Sequence, residues 1–499
     1  MKILDNLLNS ISTNLNNNAF CIDNRFYTYK ELLQKISNIR AVIKTSVNED
    51  ETAVGLITND DIETYASIIA LWFEGKAYVP INPEFPIERN INIIDQASLR
   101  SILDSSNKKV INSYNSILTK NLSNTENNLF PAKISNDTLA YIFFTSGTTG
   151  IPKGVPINFG NLSAFIEAHG SLDYTITKED RCLQMFELTF DLSVVSYLVP
   201  LLKGACVYTI PKNEIKYSYI FQLMEDYNLT YALMVPSILQ YLRPYFDEIN
   251  CPSMKYSLFC GEALPLDITE EWSKCVPNAT IVNVYGPTEC TIYCTEYTYK
   301  RNAENKNRNG ILTIGKEMLN TSTIIVDKNN NEVKVGEQGE LCLSGLQLTT
   351  GYWNNEDKNR EVFFYKKHKG KKTRFYRTGD LCCAEKDGNI LYIGRIDFQA
   401  KIQGFRVELS EIEFHVKTTL NKINAVALAV SNNNKNSEIG LVLESDTFDT
   451  KKLLDNLKSK LPNYMIPTQV RFLNTFPLNT NGKTDRNKLK ELFNSIKAA

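Results

Sequence analysis

Short apolar runs rich in β-branched and aromatic residues alternate with helix-patterned segments through the first three hundred residues. TAVGLI (52–57), KAYVPI (76–81), ACVYTI (205–210), YALMV (231–235), YSLFC (256–260) and TIVNVY (280–285) read as buried strands. Between them, IETYASIIALWFEG (62–75) and YIFQLMEDYNL (219–229) carry helical periodicity. Strand–helix alternation sustained this long confines the chain to α/β architecture with parallel sheets. After about residue 310 the texture changes. ILTIG, STIIV, GELCLSG, LYIGR and DFQAKIQG are short strand patterns joined by turns, predicting a compact β-barrel-like unit. The final hundred residues hold a helix (SEIEFHVKTTL), strand-like NAVALAV and IGLVLE, and a second helix (TKKLLDNLKSKL). The expectation is α/β: a large N-terminal part of two α/β sheets plus that small β unit, followed by a small α+β domain.

A length of 499 residues leaves room for about three domain-sized units. Lys and Arg number 55 against 56 Asp and Glu, a net charge of −1. Such balance gives no global pull toward nucleic acid or an anionic membrane. Eleven Cys lack any CxxC spacing, and with three His (His169, His368, His415) no zinc pattern assembles. Reduced thiols in a cytoplasmic protein are the expectation. The richest apolar runs, YASIIALWF (65–73) and VVSYLVPLL (194–202), fall far short of the ~20 residues a membrane helix needs. The amphipathic start MKILDNLLNSISTN lacks the apolar stretch of a signal peptide. No membrane insertion is expected.

Four segments carry chemistry. Phe144 to Gly154 (FTSGTTGIPKG) follows strand-like YIFF and is dense in Gly and hydroxyls. Such a loop offers unobstructed N–H and Oγ donors to a polyphosphate, and Lys153 adds positive charge. It fits neither the Walker A spacing nor a dinucleotide fingerprint, and alone it is also what a turn looks like. Asn283 to Glu289 (NVYGPTE) offers an aromatic face for a base, a hydroxyl, and a carboxylate able to ligate Mg²⁺. Tyr376 to Asp380 (YRTGD) and Gly394 to Asp397 (GRID) place carboxylates where ribose hydroxyls could be held. Asn481 to Asp485 (NGKTD) sets a lysine in a Gly-containing loop.

In this order, the four segments resemble those of the adenylate-forming superfamily, which includes nonribosomal peptide synthetase adenylation domains, acyl-CoA synthetases and luciferases. YTYKEL (27–32), WFEGKAYVPINPEFP (72–86), FDLS (190–193), GELCLSG (339–345), GRIDFQAKIQGFRVELSEIE (394–413) and LPNYMIP (461–467) extend the resemblance over nearly the whole chain. It implies that ATP and a carboxylate give an acyl-adenylate and pyrophosphate, and that a thiol then takes the acyl group. By resemblance, Thr145, Ser146, Gly147, Thr148, Thr149, Gly150 and Lys153 form the phosphate loop. Gly261, Glu262, Asn283, Val284, Tyr285, Gly286, Pro287 and Thr288 would hold adenine and α-phosphate, and Glu289 the Mg²⁺. Asp380 would bind the ribose, with Tyr392 and Arg395 lining the nucleotide site. Lys483 would reach between the carboxylate and the α-phosphate, so Thr288, Glu289 and Lys483 form the expected catalytic set. The resemblance also implies a core of residues 1–396 and a mobile lid of 397–499, turning about Asp397.

In family members that activate α-amino acids, an Asp at the position of Asp191 pairs with the ammonium. A capping Asp at a helix start is the alternative. The other pocket positions, matched by motif, are Leu192, Val195, Leu233, Leu258, Cys260, Val284, Ile292 and Tyr293. They are uncharged, which predicts a small or medium apolar amino acid. Within the superfamily, FDLSV, FCGEALP (259–265) and SEIEFHV are most similar to the D-alanine–carrier protein ligases. Val284 stands there in place of Thr, and Tyr293 in place of a small residue. No carrier segment follows Leu489, which predicts a free-standing enzyme serving a separate phosphopantetheinyl carrier protein. The competing readings are a free-standing nonribosomal-peptide-type adenylation enzyme for another amino acid, an acyl-CoA synthetase and a non-catalytic nucleotide sensor.

Overall fold

The computed structural model of this chain describes residues 2–498, apart from 112–113, 126–128, 148–149, 421–422, 433–434, 446–448, 479–483 and 496. The chain divides into two compact units. The first comprises Met1–Pro83, Ile94–Phe144 and Gly154–Gly394; the second comprises Glu84–Ile93, Thr145–Lys153 and Arg395–Ala499.

Among the described residues, the first unit is built on three main sheets. One has nine strands. Its centre is parallel, running through Thr280–Tyr285, Tyr256–Phe259, Tyr231–Met234, Arg181–Gln184, Cys206–Thr209 and Asn18–Ile22. Antiparallel neighbours flank it: Thr295–Thr298 on one side and Arg25–Thr28 on the other. A six-stranded sheet holds Ala53–Ile57 and Ala77–Ile81 at its centre. A five-stranded antiparallel sheet, including Thr321–Val326, Gln338–Gly345 and Lys371–Ala384, forms the predicted β unit.

The two apolar runs become buried helices. Ile62–Phe73 starts at Asp61, whose side chain accepts from the Thr64 amide, and every one of its residues but Glu63 is buried. The Trp72 indole donates to the Ala140 carbonyl at 2.8 Å, which satisfies its polar end inside the core. Asp191–Lys203 is likewise buried from Asp191 to Leu201. No helix among the described residues is long and apolar enough to cross a membrane. The N-terminal stretch forms the helix Lys2–Thr13, with Ile3, Leu4, Leu7 and Ile11 buried. All eleven cysteines are buried, and none forms a disulfide.

In the second unit, Ala425–Ser431, Ser437–Leu443 and Gln469–Phe472 form a sheet against which Leu409–Leu420 and Thr450–Lys458 pack. The hairpin Gln399–Ile402 with Phe405–Glu408 precedes them.

Candidate active site

Parallel register determines which pocket candidates in the first unit share a sheet face. Leu233 lies beside Leu258, and Leu258 beside Val282. Side chains alternate faces along a strand, so Leu233, Leu258, Cys260 and Val284 point the same way. Tyr231 and Tyr256, paired at the strand starts, point that way too. Leu192 and Val195 on the helix Asp191–Lys203 are buried in the same core cluster, with Ile292 and Tyr293.

Asp191 is the first residue of its helix. The capping position is Phe190, which makes no side-chain cap bond, so Asp191 is not a cap. Its side chain is buried, and Oδ2 has no hydrogen-bond partner. Burial, reinforced by the charge of Glu289, pushes its carboxyl up to about 7, against the opposing hydrogen bond from Thr288. Glu289 is fully buried, and the Tyr352 hydroxyl donates to its Oε1 at 2.5 Å. Two buried acids within electrostatic reach make this region short of positive charge. An ammonium at Asp191 and a divalent cation at Glu289 fit that deficit. Mg²⁺ commonly takes one or two protein carboxylates and completes its shell with phosphate oxygens and water.

The turn after Glu289 is strained. Thr291 (φ 51°) and Ile292 (φ 74°) are consecutive left-handed residues, an outlier for a β-branched side chain. Gln347, fully buried, holds the turn. Its Nε2 donates to the carbonyls of Cys290 (3.2 Å), Thr291 (3.4 Å) and Tyr293 (2.9 Å). Gly286 permits the close approach, since a Cβ there would lie 2.3 Å from the Tyr293 Cα. Sequence reasoning missed Gln347 and Tyr352. Their signal was proximity to the GELCLSG segment, where Gln347 follows by two residues and Tyr352 by seven.

The nucleotide candidates of the first unit are connected in part. The Tyr285 hydroxyl donates to Asp380 Oδ2 at 2.5 Å, and the Asp380 amide donates to Thr378 Oγ1 at 3.0 Å. Asn283 Nδ2 donates to the Thr313 carbonyl. Glu262 accepts from the Ser237 amide at 2.8 Å, beside Gly261 at φ +92°. Tyr392 is half-buried at the end of its sheet, on the strand Ile390–Arg395.

The phosphate-loop candidates Thr145, Ser146, Gly147, Gly150 and Lys153 belong to the second unit; Thr148 and Thr149 lie outside the described residues. The loop's donors face oxyanions. The Gly147 amide donates to Glu411 Oε2 at 3.1 Å, and Lys153 Nζ lies 3.2 Å from Glu408 Oε1. Ser146 Oγ donates to the Arg406 carbonyl at 2.8 Å and accepts from the Glu408 amide at 3.1 Å. A loop whose N–H and ammonium seat carboxylate oxygens has the donor set a polyphosphate requires. Arg395 pairs with Asp397, the expected hinge residue, through Nε–Oδ1 at 2.8 Å. Lys483 lies outside the described residues.

Residues 10–353 match the family model described as AMP-binding enzyme. Tyrocidine synthase 3 of Brevibacillus parabrevis is 31% identical over 473 residues, which are 93% of this chain and 7% of that protein. Gramicidin S synthase 1 of Brevibacillus brevis is 32% identical over 500 residues, which are 96% of this chain and 43% of the synthase. The chain thus spans less than half the length of either synthase. D-alanine–D-alanyl carrier protein ligase of Bacillus licheniformis is 28% identical over 506 residues, covering 98% of this chain and 99% of the ligase. Among solved structures, the Vibrio cholerae adenylation domain AlmE in complex with glycyl-adenosine-5′-phosphate superposes with a TM-score of 0.85. It is 25% identical, with 99% of this chain and 98% of that one covered.

Proposed function

Because this chain belongs to the AMP-binding enzyme family, we propose that it activates a small amino acid with ATP and delivers it to a separate carrier protein. The aminoacyl-adenylate is the intermediate, the carrier's phosphopantetheine thiol is the acceptor, and the cytoplasm is the setting. The observation that carries the reading is Asp191: a buried carboxylate with an unpartnered oxygen, raised to about 7 and placed beside a second acid. An acyl-CoA synthetase acting on a fatty or aryl acid has no ammonium to offer that oxygen. The fully buried ring of Tyr293 favours a side chain no larger than alanine's. D-alanine leads on the likeness to the D-alanine ligase, with glycine, the residue named in the AlmE complex, as the second candidate.

In the first half-reaction a substrate carboxylate oxygen attacks the α-phosphorus, and the bond to the β-phosphate bridging oxygen breaks. Pyrophosphate leaves with that electron pair. Asp191 holds the ammonium and so aims the carboxylate. Ser146, Gly147 and Lys153 would seat the β- and γ-phosphates, Gly147 and Lys153 exchanging carboxylate oxygens and Ser146 a backbone carbonyl for phosphate oxygens. Asp380, oriented by the Tyr285 hydroxyl, would take the ribose hydroxyls. The Lys483 ammonium would stabilise charge gathering on the pentavalent phosphorus. Mg²⁺ held by Glu289 would neutralise phosphate charge. In the second half-reaction the carrier thiol sulfur attacks the acyl carbonyl, the thiol proton is released, and AMP departs. The 397–499 segment, turning at Asp397, is the element we assign to that change.

Amino-acid-dependent ATP–pyrophosphate exchange tests this across D- and L-amino acids, glycine, β-alanine, and fatty and aryl acids. Exchange led by D-alanine or glycine and lost in Lys483→Ala is the expected result. Exchange with acids lacking an α-amine overturns the assignment of Asp191.

A further inference from the structure

Tyr293, a candidate pocket residue, is held from three sides, by residues that lie outside every motif. Its carbonyl accepts from Gln347, and its ring meets Phe165 edge-on at 4.9 Å. Its hydroxyl lies 2.9 Å from Nδ1 of His169, a residue 124 positions away, near the end of the helix Phe159–Gly170. His169 is 5% exposed, and its Nε2 has no partner. Burial and the nearby Lys203 charge keep the imidazole neutral, with its titration pushed down to about 4. The side chain therefore brings a hydrogen-bonding atom, and no charge, to a buried neighbourhood that also holds the hydroxyls of Tyr174 and Tyr231.

His169 also lines a cleft of about 830 Å³ between the helices Lys2–Thr13, Phe159–Gly170 and Asp191–Lys203, alongside Glu167, Val199 and Lys203. That cleft gives small solutes a route to the imidazole.

We propose that His169 is a positioning residue: by engaging the Tyr293 hydroxyl it fixes an aromatic floor in the amino-acid pocket and limits the accepted side chain to about the size of alanine's. The inference rests on the function proposed above. A phenol oxygen in an apolar core is costly to leave unbonded, so the ring stays where its partner is. Freed of that partner, the ring keeps its packing against Phe165 and its neighbour Tyr231 but loses its His169 tether, and a longer substrate side chain can displace it more readily. Methylene-sized differences in a pocket change discrimination by roughly 10–200-fold, so a floor that yields is a large lever.

The experiment compares kcat/KM for alanine, in both stereoisomers, with that for valine, by pyrophosphate exchange. The enzymes are the wild type, His169→Phe, His169→Asn, Tyr293→Phe and His169→Phe/Tyr293→Phe. In His169→Phe the alanine-to-valine ratio should fall by about tenfold, carried by KM for valine more than by kcat. His169→Asn keeps a polar atom near the Nδ1 position and should restore most of the ratio. In the Tyr293→Phe background, His169→Phe should add nothing, because both changes delete one bond. Imidazole supplied to His169→Gly should move the ratio back toward the wild type through the cleft.

A wild-type ratio in His169→Phe, or additive effects in the double variant, overturns the inference. Should His169→Phe fail to fold, Tyr293→Phe decides, since it removes the same bond by deleting one oxygen. A wild-type enzyme showing no amino-acid-dependent exchange sinks the functional reading and this inference together. An active wild type with an unmoved ratio sinks the inference alone.

Discussion

Two buried carboxylates, each in the first turn of a helix, have opposite fates. Glu411, near the start of Leu409–Leu420, is fully satisfied. Oε1 pairs with Arg89 at 2.7 Å, Oε2 accepts from the Gly147 amide, and the side chains of the pair are 0% and 6% exposed. Asp191, at the start of Asp191–Lys203, keeps an oxygen without a partner and has a second acid close by. Both gain from the helix N-terminus, so the dipole does not distinguish them. The difference is a cation. Where one is built in, the acid holds structure together; where it is withheld, an oxygen is left to take a cation from outside, the role proposed for Asp191.

The comparison breaks most directly at Asp191. Asp191→Asn should lower kcat/KM for the amino acid by about 10³-fold, because a desolvated charge pair is worth roughly 2–5 kcal/mol. The same substitution should leave the melting temperature unchanged or raised. A large loss of both activity and stability would mean that Asp191 has a structural partner after all. The mirror substitution, Glu411→Ala, strands a buried Arg89 and should destabilise the second unit by about 3–5 kcal/mol in denaturant unfolding. Glu411→Gln should cost less, since the amide can still accept from Gly147.

A smaller effect sharpens the contrast through pH. The role proposed for Asp191 requires it ionised, so kcat/KM for the amino acid should fall about tenfold per unit as pH drops below about 7. Stability runs the other way. The native carboxyl titrates at about 7 and the unfolded one near 3.8, so the native state holds a proton that the unfolded chain releases. That contribution is full below about 4 and is lost as pH rises to about 7. Asp191→Asn should therefore gain stability over the wild type across that window, readable in parallel melting curves. The smallest effect belongs to Tyr352→Phe. It removes the hydroxyl that orients Glu289 and should raise KM for Mg·ATP several-fold, a loss of about 1 kcal/mol.

Much of the fold is legible along the chain because sheet strands and covering helices are written in local apolar periodicity. YALMV, YSLFC and TIVNVY became adjacent parallel strands, and the run YASIIALWF became a helix buried almost all round. The antiparallel neighbours flanking the nine-stranded sheet carry weaker patterns. Thr295–Thr298 is four residues long with Tyr297 its one apolar side chain, so the sequence barely marks it. The site divides in the same way. FDLS, NVYGPTE and YRTGD are contiguous and could be read directly. Gln347 on the strained turn, Tyr352 on Glu289 and His169 on Tyr293 join residues 54, 63 and 124 positions apart; the first two are marked only by their nearness to GELCLSG, and His169 by nothing local.

The amino-acid sequence by itself determined the α/β architecture, the reduced thiols, the donor-rich loop and the presence of an acid at the head of an apolar helix. Each of these depends on residue type and short-range spacing. Only the tertiary structure decided that one Asp191 oxygen lacks a partner, that Glu411 has two, and that the Tyr293 ring is tied to His169. Desolvation and hydrogen-bond satisfaction are properties of what surrounds a group, and those surroundings come from parts of the chain far away in sequence.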